Sequence, residues 1–600
     1  MKHLLTLGLF LAVCPLLAQN VQRGSVLEYN EKNEKKPLQN VEITVDNATS
    51  AVSDLRGDYT LRFRQVSVGQ KVQVLAIEKA GYELFNQEDV DEWRVMADGR
   101  VPFNILMYRS DALRELRDRF TAMALRVLQS QKGGTRDGNY TRRLENLEQY
   151  IDRFVRVDMT QVIDAEKKIL KLVNKGRFDE ALKQYDMQKI PMRRASVYRQ
   201  CALLRMAGGT DNEAKAMELL RSLAYADTTM TSVMSDYAHE AYLAKDYTAA
   251  LAAYRTLSNS ARAQSDLVTL AKARINEGAI LNYTRRNSDG TPLLQQAVAL
   301  LDSIRLEQND TLLYLSDIAH GCHYLGLNSL RQRNVEEGRG LLMRGVWSLR
   351  ALRDVSSFAN LQPQYASQLV QTGSALCDTY YIYESEVLIQ EGISVLDVLY
   401  TAKPYTYVGQ LANAWSNLGR VYFKMGAAYN EKSEDCYLKA GSYYDRAVEY
   451  DSTANIRQQM SNLHHLGDLY KSKGDFAKSV DCYEPGRIYW EANDDKSEQA
   501  TRFLTETYAD MGEALYKIGR YDEALHYDSL SYIIAKPRYD QNPELFKDMM
   551  GTCLLHLVNT YISLDRYEEA FDYVRKAMEV DPEYPETRRR LEQIRRKLNK

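Results

Sequence analysis

Residues 463–483 read LHHLGDLYKSKGDFAKSVDCY. Leu463, Leu466 and Tyr470 are three and four residues apart, so they share one face of a helix. Gly467 falls on that face, where a side chain would hold a second helix away. Gly474 ends the helix, Phe476 opens another, and Ser479 and Tyr483 carry on its packed face. The stretch therefore encodes two helices that cross closely. It also crowds His464, His465, several aspartates and Cys482 together, which raises a metal site as the rival reading. Neighbouring helical positions diverge by about 100°, so the two imidazoles cannot readily meet one ion. His464 is expected to pair with Asp468 one turn on, and His465 to turn toward an adjoining hairpin.

The same grammar recurs every 45–48 residues. WSNLGRVYFKMG (415–426), YADMGEALYKIGRYDEALHYD (508–528) and LLHLVNTYISLDRYEEAFDYVRKAMEVDP (554–582) repeat it, with Leu418, Gly419 and Tyr422, then Met511, Gly512 and Leu515, then Leu557, Val558 and Tyr561. A glycine or aspartate closes each first helix, an aromatic opens the second, and alanines such as Ala524 and Ala570 allow close approach. The pattern resembles the tetratricopeptide repeat (TPR), whose period is about 34 residues. The resemblance implies a right-handed α-solenoid over residues 160–587, with longer connections than the family has and a visible insertion, AAYNEKSEDCYLK (427–439). Weaker units follow the same lines at 167–186, 237–257, 319–346 and 375–396, giving roughly eight to ten hairpins.

In a TPR-like solenoid the first helices line the concave side. Counting one, five and eight places on from the leading residue of each unit gives the candidate groove: Ser416, Arg420 and Phe423; His464, Asp468 and Lys471; Ala509, Glu513 and Tyr516; Leu555, Asn559 and Ile562. This mixed polar and aromatic set suits an extended peptide or a protein surface.

Residues 21–108 differ. VQRGSVLEY, NVEITVDN, YTLRFRQV, QKVQVLAIEKAGY and VPFNILMY alternate and are β-branched, as strands are, which predicts about seven short strands in a small antiparallel sandwich. Gly24, Pro37, Leu38, Val41, Val45, Asp54, Gly57, Tyr59 and Leu61, followed by GYELFN, resemble the carboxypeptidase regulatory-like (prealbumin-like) domain. That family implies a stalk or docking module and not a catalyst. Residues 109–159 read as a helical connector, broken at QKGGTRDGN (131–139). At the far end, RRRLEQIRRKLNK (588–600) places Leu591, Ile594 and Leu598 on one face and cations on the other, the pattern of a polar cap on a solenoid's open end. The fold class expected is thus a small all-β sandwich followed by an all-α TPR-like solenoid.

MKHLLTLGLFLAVCPLLA (1–18) has a basic start and a short apolar run, which reads as a secretory signal peptide. No later stretch is apolar for the roughly 20 residues a membrane span needs. Loss of residues 1–18 removes Lys2 and no acid, so the formal charge moves from -3 to -4. That balance does not suggest a nucleic-acid partner. Export places the mature chain in the periplasm, at the outer membrane or on the surface of a Gram-negative cell. Its remaining cysteines, Cys201, Cys322, Cys377, Cys436, Cys482 and Cys553, show no CxxC pair and read as mostly buried helix residues.

No HExxH, G-x-S-x-G or phosphate loop is present. His320-Gly321-Cys322-His323 is the tightest candidate cluster, but a zinc site needs further converging ligands. Glu568–Glu569 and Asp522–Glu523 fall in first turns, where they complement helix dipoles. No catalytic residue, cofactor or metal is therefore assigned. The function expected is a non-catalytic exported scaffold or adaptor that binds a protein or peptide in its groove. The alternatives are a glycan- or peptide-binding part of an envelope uptake or sensing system, and, last, an enzyme.

Overall fold

The computed structural model describes residues 20–64, 68–72, 74–95, 102–130, 147–188, 190–307, 311–354, 358–450, 455–492 and 498–598. The signal-peptide stretch and QKGGTRDGN lie outside the described residues. Two compact units divide the chain after Asp354.

The first unit opens with eight strands: β1 (Asn20–Tyr29), β2 (Lys35–Pro37), β3 (Glu42–Val45), β4 (Ala51–Val52), β5 (Asp58–Phe63), β6 (Val74–Glu78), β7 (Tyr82–Leu84) and β8 (Phe103–Arg109). One sheet runs β2-β1-β8-β7 with β5 also on β1; the other runs β4-β3-β6. Tyr59, Leu61 and Phe63 alternate inward along β5. They meet Val26, Ile43, Ile105 and Trp93 in one core. The turn before β5 forms as its residues require: Asp54 accepts from the amides of Arg56 and Asp58 at 2.8 and 2.9 Å, and Gly57 takes φ +77°. The expectation of a purely antiparallel sandwich is corrected in one pairing. β1 and β8 run parallel, from Gly24 opposite Phe103 to Glu28 opposite Met107. The chain returns to β1 through all the intervening strands and α1 (Gln87–Asp91), a crossover long enough to bring the last strand back in the same direction.

After β8 the unit is helical. α2 (Ser110–Ser130) packs on α3 (Leu147–Val155), α4 (Asp164–Val173) on α5 (Phe178–Met187), and α6 (Arg194–Ala207) on α7 (Thr210–Ala226). α8 (Thr231–Leu243) pairs with α9 (Tyr247–Ala263), α10 (Leu267–Tyr283) with α11 (Asn287–Glu307), and α12 (Leu315–Arg331) with α13 (Val335–Arg350). The sheets dock onto the first of these helices and do not stand apart as a stalk. Lys35 meets Asp158 at 2.7 Å, Arg117 grips both Glu83 and Asp152, and Arg94 donates to the Thr229 carbonyl at 3.0 Å.

The second unit holds α14 (Phe358–Leu376) with α15 (Ile382–Ala402), α16 (Pro404–Met425) with α17 (Asn430–Tyr450), and α18 (Ile456–Ser472) with α19 (Phe476–Ala492). α20 (Glu498–Lys517) pairs with α21 (Tyr521–Gln541) and α22 (Pro543–Ser563) with α23 (Tyr567–Val580). α24 (Pro585–Leu598) lays Leu591, Ile594 and Leu598 over the core of the last pair. Stacked helix pairs of this kind form an all-α solenoid. Among the described residues, however, the added length lies mostly in the helices and not in long connections. The excess over the TPR period lengthens the helices, to 22 residues in α16 and 21 in α17. AAYNEKSEDCYLK is no loop insertion: Ala427–Tyr429 is one 3-10 turn and the rest is the start of α17.

A repeated crossing holds the pairs together. A Cβ on Gly467 would lie 2.5 Å from the Tyr483 ring, and one on Gly419 would lie 2.8 Å from Tyr437. Gly278, Gly326 and Gly373 are covered in the same way by Leu294, Leu342 and Ile389. These first-helix glycines follow one another at 45–48 residues from 278 to 512, which fixes the register of the central units. Beside three of them a second-helix hydroxyl closes the contact: Ser385, Ser433 and Ser479 donate to the carbonyls of Gly373, Gly419 and Gly467 at 2.6, 2.9 and 2.9 Å.

One pair departs from the pattern. Against Gly512 stands Asp528, 1% exposed, where the two preceding pairs place tyrosine. Thr560 donates to its Oδ2 at 2.8 Å, and His556 stands 3.7 Å from its Oδ1. Burial pushes the Asp528 carboxyl up to about 7, against the pull of the Thr560 hydrogen bond.

Two outcomes follow from these crossings. Gly467→Ala forces a methyl into the Tyr483 ring and should destabilise the protein by ~1–3 kcal/mol. Gly551→Ala, in α22 with nothing within 4 Å, should be neutral or stabilising by up to ~1 kcal/mol. Denaturant or thermal melts followed by circular dichroism would compare them, and equal effects would discount the crossing. Asp528 makes a pH-dependent contribution. The unfolded chain releases this proton near 3.8, the ordinary value of an aspartate, whereas the folded one keeps it to about 7. Folded protein therefore holds the extra proton in that window, and stability falls as pH rises through it. Asp528→Asn should remove the loss, on the order of 4 kcal/mol at 1.4 per pH unit. The melting midpoint of the variant should exceed that of the wild type at pH 8 and show no such gain at pH 4.

Candidate functional site

Successive first helices of the second unit pack directly on one another, α14 on α16, α16 on α18, α18 on α20 and α20 on α22. Second helices approach one another only marginally. First helices therefore form the inner, more closely spaced face of this unit, and the candidate site lies along it.

The twelve candidate residues all sit on these first helices, but they are not equally open. Ser416 and His464 are each 8% exposed. The others are half-buried. Arg420 donates to the Ser374 carbonyl at 2.7 Å and stands 3.6 Å from Asp378. Phe423 packs against the Tyr437 and Tyr470 cluster. Tyr516 accepts from Ser563 at 3.2 Å, and Ile562 packs on the last core. Leu555 and Asn559 share the face on α22, and the Asn559 Oδ1 is buried without a hydrogen bond.

Between α16, α18 and α20 this face opens into a cleft of about 470 Å3, bordered by Phe423, His464, Asp468, Lys471, Glu506 and Asp510. Its polar groups are knitted across hairpins. The Lys471 ammonium meets Asp510 Oδ1 at 2.6 Å and Glu513 Oε2 at 3.1 Å. The expected pairing of His464 with Asp468 exists but is the longer contact, 3.9 Å, while His464 Nε2 reaches Asp510 Oδ2 at 3.2 Å. The imidazole is clasped between the rings of Tyr483 and Phe503, with centroids at 4.9 and 5.0 Å. Tyr483 donates to Asp468 Oδ1 at 2.7 Å. Burial by itself would depress His464, but its hydrogen bond to Asp510 and the charges of Asp468 and Asp510 outweigh it, and its pKa is raised. Asp510 is held below the usual carboxylate range: burial opposes this, and His464 and Lys471 overcome it. Lys471 is likewise held charged by Asp510 and Glu513 against the cost of burial.

Asp510 was not among the candidates, yet it is the centre of the cleft. It lies two places after the leading Tyr508, a position the one-five-eight count passes over. Asn417, His465 and His556 occupy the same position in their units. Each side chain there reaches back to the preceding hairpin: Asn417 to Ser374, His465 to the Tyr437 ring, Asp510 to His464 and Lys471. Chance spacing on a single helix could not reveal those contacts, but the shared offset of two would have.

Other candidates stay apart. His323 and Cys322 are 4% and 0% exposed, and burial depresses His320. Among the described residues, His464, Asp468 and Asp510 are the group whose donor atoms converge on one point. The six described cysteines are unpaired, five of them buried. Burial pushes the Cys201 and Cys436 thiols up to about 12, where they are poor nucleophiles. No helix among the described residues is long and apolar enough to cross a membrane.

The tetratricopeptide repeat family matches residues 461–484 and 552–584. No curated protein matches the chain in sequence. Among solved structures it is similar to the apo form of RapI, at 12% identity and a TM-score of 0.40, over 62% of this chain and 98% of that one. It is also similar to BtubC (BKLC) from P. vanneervenii, at 18% identity and a TM-score of 0.30, over 44% of this chain and 93% of that one. Both overlays are loose. The architecture is that of a TPR-like helical solenoid with an N-terminal β-sheet domain, which is consistent with a protein–protein interaction scaffold.

Proposed function

We propose that the chain is an exported adaptor that holds a protein or peptide partner along the first-helix face of its second unit. The observation that carries this is the composition of that face: Phe423, Tyr516, Leu555 and Ile562 remain half-buried among charged groups already paired to one another. Anchors that are partly covered, beside a lysine already held by two carboxylates, favour an extended chain that adds apolar contacts without stripping those buried charges. A glycan platform has less support. Trp415 is the tryptophan at a repeat position, and the Lys439 ammonium lies over its ring at 3.7 Å, which occupies the face a sugar would stack on.

Export rests on the N-terminal stretch, and a periplasmic or outer-membrane location goes with it. The sheet domain's resemblance to carboxypeptidase regulatory-like modules fits a docking role. Its salt bridges and hydrogen bonds to the helices would transmit an attachment at the sheets to the first unit.

A photo-reactive phenylalanine analogue at Phe423 or Tyr516 tests the reading in cells of the native organism, with Ile533, 62% exposed on a second helix, as the comparison site. Adducts to a defined partner should form from the first two positions and not from the third. Phe423→Ala and Tyr516→Ala should each weaken capture by roughly 10-fold, the scale of one interface anchor, with unchanged helicity. Capture that is the same from all three sites, or that both alanine variants leave intact, overturns the assignment.

A further inference from the structure

We propose that His464, Asp468 and Asp510 form a binding site for a divalent transition-metal ion of the zinc class, which pins the α18–α19 hairpin to α20. The proposal needs no partner protein and stands independently of the adaptor reading.

The donors come from two directions. His464 and Asp468 are one turn apart on α18 and share a face; Glu506 and Asp510 are one turn apart on α20 and share another. The two pairs meet across the cleft. His464 Nε2 lies 3.2 Å from Asp510 Oδ2 and 3.9 Å from Asp468 Oδ2, and all three donor atoms fall within 4.8 Å of one another. Ligands about 2.0–2.2 Å from a tetrahedral zinc ion stand roughly 3.4 Å apart, so small side-chain adjustments suffice. Imidazole nitrogen with two carboxylate oxygens is a donor set that zinc and its borderline neighbours accept. Glu506, which also borders the cleft, or a water molecule can take the remaining position.

Two features set this group apart from an ordinary surface charge cluster. The imidazole is 8% exposed and held between Tyr483 and Phe503, so its Nε2 is fixed toward the carboxylates before any ion arrives. Asp468 is oriented from behind by the Tyr483 hydroxyl at 2.7 Å, the outer-shell contact that ligating carboxylates use. The charge balance also points to a cation. Asp468, Glu506, Asp510 and Glu513 surround one lysine and one histidine. An entering ion displaces the proton from His464 Nε2 to solvent and takes over the role that proton plays between the two aspartates. Lys471 competes, because its ammonium holds the other oxygen of Asp510 at 2.6 Å.

The test uses the full chain stripped with chelator, then titrated with Co2+ and with Zn2+. Visible absorption of bound Co2+, metal content after dialysis and the melting midpoint are read. The expected result is one saturable ion per chain, competed by Zn2+, with a raised midpoint. Asp468→Asn and Asp510→Asn should each weaken binding at least 10-fold. Lys471→Met should strengthen it, an effect opposite to that of breaking a purely structural ion-pair network. Circular dichroism checks that each variant is folded, and Asp468, half-exposed, is the change least apt to disturb packing. Absence of saturable binding, or binding that Asp468→Asn and Lys471→Met leave unaltered, overturns the proposal.

Discussion

The contact between a first-helix glycine and the second-helix side chain that covers it sets the geometry of every pair from α10 to α21. At Gly467 the ring of Tyr483 occupies the space a Cβ would need. Dispersion over that ring depends on distances of a few tenths of an ångström, so the crossing fixes how far apart the two helices lie. The neighbouring serine bond, Ser479 to the Gly467 carbonyl, then fixes their rotation. Once the pair is set, the side chains at the following offsets are aimed. Tyr483 reaches past the crossing to Asp468, and Asp468 faces the cleft because of it. The polar face is thus a downstream product of an apolar constraint.

That order explains what could be read from the chain alone. In the last units the glycine is framed by leucines and followed by tyrosine, as in Leu466-Gly467 and Tyr483, and the pairs are legible. In the central units Gly278, Gly326 and Gly373 keep their places, but aliphatic Leu294, Leu342 and Ile389 do the covering. An aliphatic side chain in a helix carries little positional signature, so the register was lost there although the spacing persisted. The long helices were hidden for a related reason. NEKSEDCYLK is polar at its start, which looks like a loop, yet it is a solvent-facing first turn with Ser433 turned inward to Gly419. Asp510 is legible only by comparing units at the offset of two, because its partners are on another hairpin, and the parallel β1–β8 pairing is hidden because alternation marks a strand without giving its direction.

The sheet domain follows a different logic. Its own core closes around Trp93, Tyr59 and Ile105, and its outer charges are spent on the helices. Arg117 holds Glu83 of β7 and Asp152 of α3 at once, and Arg156 joins Glu83 as well. Pairs with this degree of cover are less screened than isolated surface pairs. Their work is to specify one docking orientation, since an arginine fork accepts two carboxylates only in a narrow range of angles.

The uneven spacing of helices in the second unit has a mechanical consequence. Straightening the stack would draw first helices apart, and Lys471 would leave Asp510 and Glu513. Tightening it would press together first helices already in contact. Both deformations are resisted on the same side, so the line of constant length runs along the first helices. Second helices lie off that line, and each is tied to the first helix of the next pair as well as to its own. A load applied to this unit would therefore pass from pair to pair through the second helices, while the first-helix face keeps its length.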